Sequence, residues 1–171
     1  MGNRRMGLGR MEKLIERLKR SIEFGAGTIL SGQYLSVKNV TADTTLTTAD
    51  SAKIVLVDPA ATTAITLPTT LVSGWHVSVI LDESATGEDA GMDQIVNIDL
   101  GSGTNLANVG LILEVDGAAG DHCVANDDWV TCSAAASPGD RFDIFTDGNR
   151  WYVYGTVKDV TECVFATAAA A

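Results

Sequence analysis

No apolar run in this chain is longer than a strand. Ile54-Val55-Leu56-Val57 and Leu111-Ile112-Leu113 are among the longest, so no segment is expected to cross a bilayer as a helix. The N-terminus is basic but lacks the continuous apolar stretch and cleavage site of a secretory signal. Cysteine is scarce: Cys123, Cys132 and Cys163 are odd in number and lack the spacing of a disulfide framework. Cys123 and Cys132 are placed to face each other across a hairpin, but reduced, half-buried thiols in a reducing cytoplasm fit better. Histidine occurs only at positions 76 and 122. There is no Gly-x-Ser-x-Gly, no phosphate-binding loop, no His-Glu-x-x-His and no paired Cys-x-x-Cys. His122 and Cys123 have only Cys132, Asp121 and Asp127 nearby, which is not a zinc ligand spacing. The acidic stretch Asp82, Glu83, Glu88, Asp89 and Asp93 lacks the spacing of a calcium loop and reads as a solvated surface loop. No catalytic residue, cofactor or metal is expected. These absences describe a protein that works through its surfaces and is not an enzyme.

What is present is β-structure. Thr and Val suit pleated, half-buried surfaces, while Gly and Asp suit turns. Strands are expected at Gln33 to Asn39, Lys53 to Asp58, Ala64 to Leu67, Gly74 to Leu81, Gln94 to Leu100 and Leu111 to Val115. Others follow at Trp129 to Ser133, Arg141 to Thr146, Arg150 to Tyr154 and Glu162 to Ala166. Turn signals such as Asp58-Pro59, Ser73-Gly74, Pro138-Gly139 and Asp147-Gly148 punctuate them. Short strands without intervening helices predict an all-β fold, an antiparallel β-sandwich or jelly-roll-like barrel. Alternation puts Trp75, Val77, Val79 and Leu81 on one face, with His76 and Ser78 on the other. Val96, Ile98 and Leu100 oppose Asn97 and Asp99. Phe142 with Ile144, and Trp151 with Val153, are likewise expected in the core, each large side chain contributing roughly 1.5–3 kcal/mol. Tyr152 and Tyr154 then share the face opposite Trp151, as a packed surface, a subunit interface or a sugar-stacking surface. The Ala-rich run from Ala166 shows no pattern.

Charge divides the chain. Through Glu23 there are seven basic and three acidic residues, a charge of +4; the rest has five basic and nineteen acidic, a charge of −14. Residues 1–10, with three glycines and three arginines, form a flexible arm. Met11, Leu14, Leu18 and Ile22 are spaced 3, 4 and 4, which predicts an amphipathic helix over Met11 to Phe24. Gly25 and Gly27 stop it. A helix of three to four turns needs a docking surface to be stable. The domains are therefore 1–27, a basic arm and helix, and 28–171, the β-domain. The partner-contact residues expected from this pattern are Arg4, Arg5, Arg10, Met11, Leu14, Leu18 and Ile22. Nucleic acid is not the expected partner, because no aromatic platform interleaves the arginines.

Some motifs look familiar. Asp50-Ser51-Ala52-Lys53-Ile54-Val55-Leu56-Val57-Asp58, then Ile65-Thr66-Leu67-Pro68, Gly74 and Val77-Ser78-Val79-Ile80, resemble a pattern in structural proteins of tailed-bacteriophage virions. Gly139-Asp140-Arg141-Phe142, Asp147-Gly148, Trp151-Tyr152-Val153 and Gly155 resemble the ends of such domains. Met1-Gly2-Asn3-Arg4-Arg5-Met6-Gly7 is similar to the openings of virion proteins of marine phages. The resemblance implies a β-rich virion component made in the host cytoplasm, such as a capsid decoration (cement) protein bound to the major capsid protein, often as a homotrimer. It also implies an alternative, a head-fibre or tail-fibre module that binds host glycans. No repeat, long coiled coil or collagen-like shaft accompanies it.

Overall fold

The computed structural model describes residues 35–82, 92–101 and 108–171 apart from 116, 118 and 125, together with Lys13. The arm and helix expected over residues 1–27 lie outside the described residues except for Lys13, as does most of the acidic loop.

Leu35–Ala171 forms one unit. Its strands are β1 (Ser36–Val40), β2 (Thr44–Thr45), β3 (Lys53–Val57), β4 (Thr63–Thr66), β5 (His76–Leu81) and β6 (Val96–Asp99). They are followed by β7 (Val109–Glu114), β8 (Gly120–His122), β9 (Trp129–Cys132), β10 (Arg141–Thr146), β11 (Trp151–Val157) and β12 (Cys163–Ala166). A seven-stranded sheet runs β1-β3-β5-β10-β11-β7-β8, and a five-stranded sheet runs β12-β9-β6-β4-β2. The inward faces of the two sheets share one apolar core.

The sheets are mixed, which corrects the antiparallel expectation. β1 with β3, β3 with β5, β2 with β4, β4 with β6, and β11 with β7 are parallel. The cause is the path of the chain. Through β6, each strand crosses to the other sheet instead of turning back beside its predecessor. A strand therefore returns beside its sheet-mate in the same direction. The crossings lengthen along the chain: Ser36 pairs with Lys53, yet Thr63 pairs with Val96, so these similar rungs have no fixed period in sequence. Direction then reverses, with β9 antiparallel to β6 and β10 antiparallel to both β5 and β11.

The Asp147-Gly148 hairpin forms as expected between β10 and β11. Its loop is 147–150, since Thr146 pairs with Trp151. Asp147 Oδ1 accepts the N–H groups of Asn149 (2.8 Å) and Arg150 (3.1 Å). Gly148 has φ +97°, a backbone region that glycine tolerates.

Trp75, Val77, Val79, Leu81, Val96, Ile98, Leu100, Phe142, Ile144, Trp151 and Val153 are all buried, as alternation requires. Trp75 and Trp151 meet edge to face, with centroids 5.2 Å apart, and Trp75 Nε1 donates to Thr47 O (3.1 Å). Phe142 pairs with Gly155 across β10–β11; a Cβ on that glycine would lie 2.9 Å from the Phe142 ring. The missing side chain is the space that Phe142 occupies.

Asp50 closes the first crossing. It is 5% exposed and ends a short 3₁₀ turn, Thr48–Asp50. Its carboxylate accepts from Lys53 (2.8 Å), from the Thr47 N–H (2.8 Å) and hydroxyl (2.9 Å), and pairs with Lys38 (3.2 Å). Burial alone would raise the carboxyl; those donors outweigh it and hold it well below the ordinary carboxylate range.

Candidate functional site

The two sheets differ on their outward faces. In the seven-stranded sheet, register aligns Val37, Ile54, Ser78, Asp143, Tyr154, Leu111 and His122 across the strands in one row. A second row is Asn39, Leu56, Ile80, Arg141, Thr156, Leu113 and Gly120. A third joins His76, Phe145, Tyr152 and Val109. This face is predominantly apolar and open to solvent: Val37 is 53% exposed, Leu113 49% and Tyr154 49%.

Its centre is an aromatic group on β10 and β11. Phe145 stacks on its cross-strand partner Tyr152, with centroids 5.0 Å apart and planes within 7°, and on Tyr154 at 6.0 Å and 14°. Both tyrosines come from β11, so they cover the β11 side of Phe145. The Tyr152 hydroxyl donates to Asp147 Oδ2 (3.0 Å). That bond raises the tyrosine, and the Asn149 and Arg150 N–H groups lower Asp147. On the β5 side of Phe145 lies a shallow, open depression lined by Gly74, His76, Ser78 and Asp143.

The strand residues of this face bring one opposed pair of formal charges, Arg141 and Asp143. Arg141 donates to Asp143 Oδ1 through both Nε (3.0 Å) and an Nη (2.7 Å). Ser78 Oγ donates to the same oxygen (2.5 Å). The face is thus internally neutralised within a region of net charge −14. An exposed ion pair of this kind adds about 0–1 kcal/mol to stability.

The five-stranded sheet is smaller and carries polar and apolar residues in equal measure outside. Its rows are Ala64, Asn97, Thr131 and Val164, then Thr66, Asp99, Trp129 and Ala166. The C-terminal tail lies on it: Asn97 Nδ2 donates to Ala170 O (3.1 Å), and the Ala170 N–H donates to Asn97 Oδ1 (2.9 Å). Asn97, expected to face outward, does so yet is only 2% exposed, because the chain's own end covers it.

Compared with protein-family models and with curated proteins, the chain matches none.

The expected contact residues Arg4, Arg5, Arg10, Met11, Leu14, Leu18 and Ile22 lie outside the described residues. His76 faces outward as expected. Cys132 does not face Cys123: its cross-strand partner is Cys163, and both are fully buried. A hydrogen bond with Cys132, then burial, raises the Cys163 thiol far above its ordinary value. Cys123 is pushed up to about 11, by burial and then by Asp127 and its acidic neighbours. All three cysteines are free thiols. Among the described residues, no three His, Cys, Asp or Glu side chains converge as metal ligands. Sequence reasoning singled out Tyr152 and Tyr154 but missed Ile54, Leu56, Ile80, Leu111 and Leu113 as one surface. Its signal was the continuous run: Ile54-Val55-Leu56-Val57 is apolar at every position, so both sides of that strand are apolar.

Proposed function

We propose that this chain is a non-enzymatic structural component of a tailed-phage particle, one that decorates the capsid and stabilises it by binding the assembled shell. The observation that carries this reading is the apolar face, crossed by no described segment, with Phe145, Tyr152 and Tyr154 at its centre. Exposed apolar side chains gathered on one face in this way mark a contact surface. The sequence motifs add the particle, and the charge division adds the arm. In this mechanism Arg4, Arg5 and Arg10 dock on negative capsid surface, Met11, Leu14, Leu18 and Ile22 pack there, and the acidic two-sheet sandwich projects outward. A ligand that binds only the assembled shell stabilises it by mass action. A homotrimer multiplies weak arm contacts into avidity.

The test is binding of the full-length chain, and of its Arg4→Glu, Arg5→Glu, Arg10→Glu variant, to undecorated particles. The reading expects saturable binding that the triple variant loses. Equal binding by both would remove the arm from the mechanism, and no binding by either would refute decoration.

A further inference from the structure

We infer that the outer face of the seven-stranded sheet is where copies of this chain pack against one another. The inference deepens the structural-component reading above by naming its self-association surface, and rests on that reading only for the biological setting. Two observations select a second copy as the occupant.

The first is charge. The region carries −14, so like-charged copies repel wherever acidic surface meets acidic surface. This face is close to neutral: Arg141 and Asp143 cancel each other, and Arg150 acts on the Asp147 carboxylate that accepts from Tyr152. A cationic partner would be drawn to the acidic remainder instead. A neutral apolar face best fits another neutral apolar face, and every copy supplies one.

The second is area. Seven strands at about 4.8 Å spacing span roughly 29 Å, and strands of five to six residues run about 17–20 Å. The footprint is on the order of 500 Å², and protruding side chains give it a larger accessible area. That approaches the ~800 Å² per partner of a specific interface. The bulkiest side chains, Phe145, Tyr152 and Tyr154, stand on the central strand β10 and its neighbour β11, where buried aromatic anchors concentrate binding energy.

The experiment is sedimentation equilibrium of the full-length chain across a concentration series, with Leu111→Glu and Leu113→Glu variants. Both leucines are exposed, so either substitution leaves the core untouched, and circular dichroism verifies the fold; two sites guard against one failing to fold. The expected result is a wild-type mass at a multiple of 17.9 kDa. Each variant should associate at least ~10-fold more weakly. Raising salt from about 0.05 to 0.5 M should strengthen wild-type association by screening the acidic bodies, whereas an arm on a negative surface would weaken. The arm triple variant should self-associate normally, which separates this inference from the capsid-docking reading. A wild-type chain that stays at monomer mass throughout, or one whose association both glutamates leave unchanged, would overturn the inference.

Discussion

The two sheets share a core yet meet the outside in opposite ways. The five-stranded sheet turns out alanine, threonine, asparagine and aspartate with one valine and Trp129, and the chain's own tail crosses it through Asn97 and Ala170. The seven-stranded sheet turns out valine, leucine, isoleucine and three stacked rings around a polar strip of Ser78, Asp143 and Arg141, and no described segment crosses it. A polar sheet face costs little when open to water, while an apolar one loses roughly 25 cal/mol for each Å² left there. Among the described residues, the cover lies on the smaller sheet and the larger, more apolar face has none. That contrast is the one on which the proposed self-association rests.

The comparison is sharpest within β10, where Phe142 points in and Phe145 points out. Phe142→Ala should cost about 3–5 kcal/mol in denaturant unfolding, because a fully buried ring leaves a cavity. Phe145→Ala should cost under ~1 kcal/mol in the monomer and instead weaken association. Equal losses would erase the distinction between the faces.

Asp50 tests what holds the edge of the seven-stranded sheet. Asp50→Asn should cost about 2 kcal/mol, less than for a fully buried pair because Lys38 and Lys53 keep part of their hydration. The carboxyl is lower in the folded chain than in the unfolded one. Its contribution is therefore fully present above about pH 4 and declines as pH falls from there toward the folded value. Acid titration of stability should show this slope in the wild type and a shallower one in Asp50→Asn.

Asn97→Ala should release the tail and cost about 1–2 kcal/mol, with faster amide exchange at Ala170. The smallest effect concerns thiols. Cys123, pushed up to about 11, should be alkylated about a hundredfold more slowly at pH 8 than an unperturbed thiol, and Cys132 and Cys163 only after unfolding.

Local alternation made the core legible: Val77, Val79, Phe142, Ile144, Trp151 and Val153 follow from a period of two, and Arg141–Thr146 matches the expected strand end to end. Sheet membership was not legible, because alternation says which side of a strand is apolar and nothing about which strand lies beside it. Thr44–Thr45 and Gly120–His122 were missed because two or three residues carry no period. Asn97 read correctly as outward, but its cover comes from Ala170, far along the chain. The outer face was half legible: the tyrosines stood out, while the aliphatic residues beside them became one surface only when the register of β3, β5, β7 and β11 aligned them.

Hydroxyl-radical footprinting of the full-length chain at low and high concentration tests the central contrast most directly. Oxidation of Phe145, Tyr152 and Tyr154 should fall as concentration rises, while Trp129 on the opposite outer face reacts equally at both. Unchanged oxidation of the three rings, or protection of Trp129 in their place, would contradict the account.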